Sequence, residues 1–230
     1  MRSGAHDMKV FGAGALAALA SRGHVLAFFQ GHRHVYNAME RHLDACAERP
    51  SPTGDLWRRV GGSLRRGAAL ESDVAALGGS LQEPPSPATE RYLRQLQTAA
   101  AAPQPLLLSH FYVRYFADLF GGSMLGVPTR AALLLPRPPA FYVHDAAVTT
   151  DRRAFIEELY RSLNVAGEAA GLDKTGTSAL VAEAEAAFAL NAELYREAAP
   201  VGTGLAGLFG LALVGGARVA GGLAVQALRG

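Results

Sequence analysis

Apolar residues recur at intervals of three and four positions along most of this chain, and this spacing constrains the fold more than any other feature. The clearest run lies between Ser21 and Ala47, and its apolar members are Val25, Phe28, Phe29, Val35, Ala38, Met39 and Leu43. No stretch of useful length alternates apolar and polar residues as a half-buried strand does. The sequence therefore predicts an all-α fold, organised as a single-domain helical bundle.

Proline and glycine clusters divide the predicted helices. Residues 56–77 form one amphipathic helical region, which we expect to break at Gly61 and Gly62. Ser86 or Thr89 is the expected cap of the helix that follows the next linker. The later segments are an apolar stretch at 106–125, an irregular connection at 128–148, and helices at 151–167 and 177–199.

The composition changes after residue 200. Residues 201–230 contain no acidic residue, and their basic residues are Arg218 and Arg229. A charge-free run at 201–217 approaches the about 20 residues that a membrane-spanning helix needs. We therefore expect a helical domain at 1–199 and a hydrophobic C-terminal helix at 200–230 that anchors it in a membrane. The alternative is a disordered or loosely packed tail.

A second apolar stretch lies at residues 10–20, after the basic Arg2 and Lys9. This outline resembles a secretory signal sequence. However, Asp7 interrupts the basic leader and the hydrophobic run is short. We expect instead an internal apolar helix that ends just before Ser21, which is a suitable N-cap for the next helix.

The composition also excludes several classes of protein. The chain has one cysteine, Cys46, so it holds neither an internal disulfide nor a zinc or iron–sulfur site built from several cysteines. Its formal net charge is only +2, which argues against a nucleic-acid-binding surface, and we expect no nucleic-acid partner.

Residues 109–125 are the segment most informative about function, because two adjacent glycines, Gly121 and Gly122, interrupt an apolar helix. Adjacent glycines permit a kink and leave the backbone without a covering side chain. Asp118 lies on the same helical face, and Arg114, four residues earlier, can pair with it. Such a face suits a flat, bulky ligand pressed against bare backbone. The alternative is a helix crossing point with an Asp–Arg pair on the surface.

Five separated blocks of this sequence resemble the haem oxygenase family. The family's distal-helix signature is approximately His-x-Tyr-x-Arg-Tyr-Leu-Gly-Asp-Leu-Ser-Gly-Gly-Gln. Its matches in this chain are His110, Tyr112, Arg114, Tyr115, Asp118, Leu119, Gly121 and Gly122. The other blocks lie at 34–40, 68–73, 159–162 and 187–191. The resemblance covers about residues 20–197.

The resemblance implies a helical domain that clamps haem between a proximal and a distal helix, and an enzyme for which haem is both cofactor and substrate. Such an enzyme uses O2 and electrons to open the macrocycle to biliverdin, carbon monoxide and ferrous iron. The electrons come from an NADPH-dependent reductase, such as NADPH–cytochrome P-450 reductase, or from a ferredoxin. Biliverdin reductase is a further expected partner. The hydrophobic C-terminus is similar to that of eukaryotic members, so we expect attachment to the endoplasmic reticulum facing the cytosol, with a plastid as the alternative.

Six residues are implied by the resemblance to act in catalysis. Gly121 and Gly122 let the distal backbone lie over the haem face. Asp118 anchors an ordered water that supplies a proton to the bound oxygen. The polar network around that water is extended by Tyr36, Arg114 and Asn191.

The resemblance also implies how haem is held. The axial iron ligand is His6, three residues from the family's ungapped position, and Arg161 pairs with a propionate. Tyr112, Phe188 and the two glycines are further haem-binding residues. The alternative ligands are His24, His32 and His34, whereas His42, His110 and His144 are interpreted as structural or surface residues.

Three substitutions depart from the family pattern. Ala117 replaces the glycine before the distal aspartate, Phe120 replaces a small polar residue, and Glu157 occupies a position that is often lysine. These changes leave open a second hypothesis, a haem-binding carrier or sensor of the same fold without turnover. A third hypothesis is a membrane-anchored helical protein that binds no haem.

Overall fold

Helices account for the regular secondary structure in the computed structural model, which describes residues 21–199. The all-α prediction is confirmed over this range. In chain order the α-helices are α1 (Arg22–Ala47), α2 (Pro52–Leu64), α3 (Gly67–Ala76), α4 (Pro87–Ala101), α5 (Leu107–Phe111), α6 (Ala117–Phe120), α7 (Gly126–Ala132), α8 (Ala146–Thr149), α9 (Arg152–Ala169) and α10 (Lys174–Ala198). A π-helical turn (Tyr112–Phe116) and two 3₁₀ turns (Gly122–Leu125 and Ala140–Tyr142) lie between them.

Side chains just before the helices fix where several of them begin. The Ser21 hydroxyl accepts a hydrogen bond from the His24 amide at 3.1 Å and caps α1, as expected. Of the two candidates before α4, Ser86 is the cap. Asp173 accepts from the Gly176 amide at 2.7 Å, and α10 therefore begins three residues before its predicted start.

The glycine pair at 61–62 does not break a helix, so this prediction is wrong. Both glycines lie inside α2. A Cβ on Gly61 would lie 2.8 Å from the Trp57 ring. Gly61 therefore allows the indole to pack closely against its own helix.

The break between α2 and α3 falls instead at Arg65 and Arg66. The Glu40 carboxylate on α1 accepts hydrogen bonds from the amides of Arg66 at 2.7 Å and Gly67 at 3.1 Å. These amides begin α3 and have no partner within it. A contact with a distant helix thus decides where the chain breaks.

α1 is the central helix, and α2, α3, α4 and α10 pack around it. One face of α1 is buried along the helix, as its apolar spacing predicts. The rings of Phe28, Phe29 and Tyr36 lie 6.5, 5.9 and 5.8 Å from the ring of Phe141. Each fully buried large apolar side chain stabilises the fold by roughly 1.5–3 kcal/mol. Tyr36 is therefore held firmly in the core.

The apolar stretch predicted at 106–125 belongs to a kinked segment, residues 107–132, in which the helical geometry changes several times. α5 continues through the π turn into α6, which ends at Phe120. The chain turns at Gly121, where the glycine pair predicts a kink. Nothing in the residue spacing predicts the π turn, a geometry found often at functional sites.

Residues 1–20 and 200–230 lie outside the described residues. The predicted N-terminal apolar helix, His6, the C-terminal anchor and the boundary between the two predicted units fall in these ranges. Within residues 21–199 no helix is both long and apolar enough to span a membrane.

Candidate active site

A buried hydrogen-bond network joins α1, the kinked segment and α10. The Tyr36 hydroxyl donates to Asp118 Oδ2. Arg114 Nη2 donates to the Tyr36 hydroxyl at 3.0 Å, and Arg114 Nη1 donates to Asn191 Oδ1 at 2.7 Å. Arg114 Nη2 also lies 3.7 Å from Asp118 Oδ1. The structure thus brings together the four polar residues implied in catalysis.

Burial governs the electrostatics of this network. Arg114 and Asp118 are 2% and 6% exposed, so the alternative of a surface Asp–Arg pair is wrong. Burial raises the pKa of the Asp118 carboxyl above its ordinary value, while Arg114, the Tyr36 hydroxyl and Arg66 oppose the rise. Burial also raises the pKa of Tyr36 well above its ordinary value, so its hydroxyl remains a donor at neutral pH.

The glycine pair lies beside this network on the kinked segment. Gly121 is exposed and Gly122 is half-buried. A Cβ on Gly122 would meet Asp118 Oδ1 at 3.5 Å, and one on Gly121 would meet only the Ala117 carbonyl at 3.7 Å. Both are ordinary contacts, so packing among residues 21–199 does not require glycine at either position. The bare backbone is instead available to a molecule that approaches from outside.

Aromatic side chains on the kinked segment and α9 form an apolar surface, here called the aromatic face (Tyr112, Phe116, Phe120 and Tyr160). The buried Phe116 ring lies 5.1 Å from Tyr112, 6.1 Å from Phe120 and 4.5 Å from Tyr160. The outer three are 38%, 53% and 37% exposed. Exposed aromatic side chains grouped in this way are typical of a surface that receives an apolar ligand.

The other residues implied in haem binding do not join the polar network. Arg161 follows Tyr160 on α9, is exposed and forms an ion pair with Glu158. Phe188 lies on α10 and is 37% exposed. Glu157, the residue at the position that is often lysine, pairs with Arg153 at 2.9 Å. Because Arg161 is exposed, its guanidinium is accessible to the carboxylate of a ligand.

The alternative histidine ligands differ in their surroundings. His24 lies in the first turn of α1. His34 Nε2 lies 3.0 Å from the Glu83 carbonyl. His32 is 1% exposed, and its Nδ1 donates to the Phe28 carbonyl at 2.8 Å. Across residues 21–199, no group of three or more His, Cys, Asp or Glu side chains could hold a metal ion.

One buried pair, His110 and Glu183, could not be predicted from the sequence. His110 is fully buried, and its Nε2 lies 2.6 Å from Glu183 Oε1. Gln95 donates to both Glu183 oxygens at 2.9 and 2.8 Å. Burial acts to raise the pKa of Glu183, but the hydrogen bonds from His110 and Gln95 hold it below its ordinary value. His110 is structural, as expected, but its partner lies 73 positions away, where no local pattern points to it.

The described residues thus form an all-α bundle in which the Asp and Arg of a buried Tyr–Asp–Arg–Asn network lie on the same kinked segment as bare glycine backbone. The family model described as Heme oxygenase matches residues 16–197. This chain belongs to the heme oxygenase family. His6 lies before the matched residues.

Individual relatives agree with this assignment. The chain is 32% identical to heme oxygenase 1 of Bos taurus over an aligned region of 170 residues. This region covers 71% of this chain and 56% of the relative. The chain is 36% identical over 115 residues to heme oxygenase 2 of Synechocystis, covering 49% and 45%. The chain thus spans about half the length of these curated relatives.

The fold is similar to that of solved structures. A crystal structure of Synechocystis heme oxygenase-2 in complex with heme and NO superposes with a TM-score of 0.69 at 27% identity, covering 80% of this chain and 77% of that chain. A structure of heme oxygenase 2 from Chlamydomonas reinhardtii without heme has a TM-score of 0.71 at 19% identity, covering 83% and 89%. Because the Chlamydomonas protein shares only 19% identity with this chain, its similarity supports the fold alone.

Proposed function

We propose that this chain is a haem oxygenase, which cleaves haem to biliverdin, carbon monoxide and ferrous iron with O2 and electrons from a redox partner. The observation that carries the proposal is the Tyr36–Asp118 hydrogen bond beside the unshielded backbone of Gly121 and Gly122. Relatives named heme oxygenase support the activity, and the Synechocystis structure in complex with heme supports the ligand.

The described residues fit haem. The macrocycle is flat and apolar, and the aromatic face offers exposed rings of matching character. Haem also carries two propionate carboxylates. The exposed Arg161 guanidinium suits a propionate, which would replace Glu158 as its partner. We assign Tyr112 and Phe188 to the same haem-binding surface.

When bound, haem supplies the iron at which O2 is reduced, and it is itself the substrate that is opened. The chain holds the macrocycle and controls protons. Tyr36 occupies Asp118 Oδ2, whereas Oδ1 lies on the Gly122 side of the carboxylate. Asp118 Oδ1 is therefore the atom that orients a water at the haem face and exchanges a proton with it. Arg114 balances the buried carboxylate charge, and Asn191 holds Arg114.

We assign the axial iron ligand to His6, because a neutral imidazole is a common proximal haem ligand and His6 adjoins the apolar N-terminal stretch. His6→Ala is expected to change the ligand-sensitive absorption bands of the haem complex while leaving the far-UV circular dichroism intact. Unchanged absorption bands would exclude His6. The electrons are assigned to an NADPH-dependent reductase or a ferredoxin, and biliverdin reductase to the removal of the product.

Hemin titration of the full chain, followed by aerobic reduction, tests the proposed function. We expect a Soret band on titration, its decay during turnover, a verdin absorption, trapped carbon monoxide and chelatable ferrous iron. Catalase is included so that free peroxide does not open the ring. A Soret band that persists through reduction without carbon monoxide would contradict the enzyme. Titration without any Soret shift would contradict haem binding altogether.

One observation favours a second function, a carrier or sensor that binds haem without turnover. Phe120 is 53% exposed, directly precedes Gly121, and its ring lies 6.3 Å from that of Tyr160, so we infer that it narrows the space beside the glycine backbone. Ala117 adds a methyl group one residue before Asp118. If the native chain retains haem unchanged, Phe120→Ser is expected to introduce verdin formation by reopening this space.

We infer from composition that residues 200–230 form a hydrophobic helix that anchors a helical domain, residues 1–199, at the endoplasmic reticulum, with a plastid membrane as the alternative. The full chain is expected to float with phospholipid vesicles in a density gradient, whereas a chain that ends at residue 199 is expected to remain at the bottom. Equal behaviour of the two chains would contradict the anchor.

A further inference from the structure

The outer face of α7 and of the 3₁₀ turn before it carries large apolar side chains of the kind that a surface helix normally buries. The residues that α7 buries are Gly126 and Thr129, neither of them large and apolar. A Cβ on Gly126 would lie 3.1 Å from Tyr142 Cβ, so this side of the helix is in close contact with the domain. Met124, in the 3₁₀ turn, is 72% exposed, and Val127, three residues later, is 67% exposed. Residues three apart on a helix share a face, and this face reverses the usual amphipathic arrangement.

The end of α7 exposes a further apolar side chain. The Leu134 amide donates to the Ala131 carbonyl at 3.4 Å, and the Leu135 amide donates to the Arg130 carbonyl at 2.9 Å. This pair of hydrogen bonds ends many helices, usually with glycine at the position of Leu134, because the backbone there is left-handed. Leu134 has a φ of 53° and is 81% exposed. The leucine therefore strains the backbone and gains little packing against the described residues in return.

The stretch of chain that carries these side chains is basic. The three protruding residues, here called the outer stripe, are Met124, Val127 and Leu134. Residues 119–144, which include the outer stripe, contain no acidic residue, and their arginines are Arg130 and Arg137. Both arginines are exposed. Arg137 precedes Pro138, whose Cβ would lie 3.5 Å from a Cβ on Gly126, so this loop folds back beside α7.

This combination matches the chemistry of an anionic phospholipid surface. Apolar side chains that enter a bilayer interface meet fluid acyl chains and need no preformed pocket, whereas a protein partner must pack closely around each of them. Anionic headgroups attract arginines at the surface. The members of the outer stripe are 67–81% exposed, and their stretch of chain offers arginines without any carboxylate.

We propose that the outer stripe inserts into the interface of an anionic phospholipid bilayer, with Arg130 and Arg137 beside the lipid phosphates. The insertion is shallow, because within residues 21–199 no helix is able to span a membrane. The proposed C-terminal anchor would keep the chain near a bilayer, but it does not decide which face of the domain meets the lipid.

This orientation has a consequence for haem, and the consequence rests on the proposed function. Gly121 and Gly122 directly precede the outer stripe on the kinked segment. Docking therefore brings the bare glycine backbone close to the bilayer. Haem combines a large apolar ring with two carboxylates and partitions into lipid. We expect the docked chain to take haem directly from the bilayer.

A fluorophore attached to the outer stripe tests the docking in the full chain. Cys46→Ser removes the native thiol, and Val127→Cys then carries an environment-sensitive label. Val181→Cys, at a 57% exposed valine on α10, carries the same label as the control. The vesicles contain phosphatidylcholine and phosphatidylserine, with or without a lipid-borne quencher. Attachment through residues 200–230 alone does not distinguish the two labelled positions.

With these vesicles we expect a blue shift and quenching of the label at 127, and neither effect at 181. Vesicles of phosphatidylcholine alone are expected to lower the ratio of inserted to exposed label at least about fivefold. A label at 127 that stays exposed, or equal quenching at both positions, overturns the docking. A label at 127 that is already shielded without vesicles also overturns it, because another part of the chain or a second copy then covers the outer stripe.

Leu134→Gly separates docking from folding. Glycine adopts a positive φ without strain, so the urea midpoint is expected to equal or exceed that of the native chain. The ratio of inserted to exposed label is expected to fall about tenfold, because one apolar side chain no longer enters the bilayer. Val181→Ala, on the far label's helix, is the control. Native insertion of Leu134→Gly, or a lower urea midpoint, overturns the assignment of Leu134 to lipid.

Arg130→Gln and Arg137→Gln test the headgroup contacts. Each is expected to lower the ratio of inserted to exposed label about fivefold on vesicles with phosphatidylserine, and little on phosphatidylcholine alone. Arg94→Gln, at an exposed arginine on α4, is the control. Equal ratios in all three variants overturn the arginine contacts.

Haem transfer from loaded vesicles tests the consequence for the substrate. We expect the native chain to gain its Soret band from vesicles with phosphatidylserine about tenfold faster than Leu134→Gly, while both bind haem equally from solution. Equal transfer rates overturn delivery from lipid. If the native chain binds no haem from solution, the proposed function fails, and the label at 127 still decides the docking.

Discussion

The guanidinium of Arg114 donates to the Asn191 side chain at 2.7 Å, and this hydrogen bond joins two helical segments that are 77 positions apart in the chain. The same guanidinium holds the Tyr36 hydroxyl on α1. The position of the Asp118 carboxylate therefore depends on three helices at once. Changes at any of the four residues are expected to reach the proposed reaction through this network.

Tyr36→Phe removes the hydroxyl that donates to Asp118 and accepts from Arg114. We expect haem binding to persist, verdin formation to fall at least about tenfold, and the free energy of unfolding to fall by about 1–3 kcal/mol, because two buried groups lose a partner. Urea titration and single-turnover absorption spectra measure these effects. Tyr115→Phe is the control, since the buried Tyr115 hydroxyl has no partner within residues 21–199. An equal loss in both variants would contradict the role of Tyr36.

Asp118→Ala removes the carboxylate itself. The haem complex is expected to form with a normal Soret band, and ring opening is expected to slow by about 100-fold, within the range for loss of an acid–base group. The fold is expected to weaken by about 3–5 kcal/mol, because Arg114 becomes an unpaired buried charge. Asp55→Ala, at an exposed ion pair, is the control. Native biliverdin output from Asp118→Ala would refute the assigned role.

Gly121→Ala and Gly122→Ala test whether glycine is required at these positions for folding or for haem binding. Either Cβ fits the haem-free structure, so the free energy of unfolding is expected to stay unchanged or rise by up to about 1 kcal/mol. Haem affinity is expected to fall by about tenfold, because each methyl group projects from backbone that the macrocycle must approach. Gly62→Ala in α2, where a Cβ has no neighbour within 4 Å, is expected to leave the haem affinity unchanged. Native affinity in all three variants would exclude close approach of haem to the glycines.

Arg161→Gln tests recognition of a propionate. Haem affinity, measured by fluorescence quenching of Trp57, is expected to fall by about tenfold, which corresponds to one charge-assisted hydrogen bond. The stability of the haem-free protein is expected to change little, because the Arg161–Glu158 pair is exposed. Arg94→Gln replaces another exposed arginine and serves as the control. Equal haem affinities in Arg161→Gln and the native chain would indicate that another residue contacts the propionate.

Glu183→Gln tests the His110 pair through pH. The folded-state pKa of Glu183 lies below its ordinary value, so the ionised carboxylate stabilises the fold above about pH 4.3, and this stability is lost as the pH falls through the folded-state pKa. Urea unfolding between about pH 5 and 3 is therefore expected to show a shallower decline for the variant than for the native chain. The exposed Glu185→Gln should follow the native decline. Parallel curves for all three proteins would refute the linkage.

Features set by neighbouring residues could be predicted from the sequence. The Ser21 cap, the buried face of α1 and the kink at Gly121 all follow from local rules of capping, helical periodicity and glycine chemistry. The break at Arg65 and Arg66 could not, because a carboxylate on another helix determines it. Gly61 and Gly62 do not end α2: a Cβ on Gly61 would lie 2.8 Å from the Trp57 ring of the same helix, and one on Gly62 would meet nothing within 4 Å.

The contacts of the candidate site also fall into those that helical spacing predicts and those that it does not. Helical spacing alone predicts that Arg114 and Asp118 can pair, and they lie 3.7 Å apart. Only the family resemblance links Tyr36 and Asn191 to this pair, because their contacts span 82 and 77 positions. Glu183 and the π turn have no sequence signal of their own. The roles of His6, Tyr112, Arg161 and Phe188 in holding haem stay predictions.

The π turn between α5 and α6 adds one residue to the kinked segment, which shifts the angular phase of the helix by about 100°. Before the turn, Ser109 and His110 point to Leu180 and Glu183 on α10; after it, Asp118 points to Tyr36 on α1. Without the π turn, the side chains that follow it would be rotated by about 100° about the helix axis. Either the contacts with α10 or the contact with Tyr36 would then be lost. Removing a single residue from the turn is therefore expected to rotate the carboxylate away from its donor while the structural pair stays in place, so a change of length here would disrupt the site even if every remaining residue type were kept.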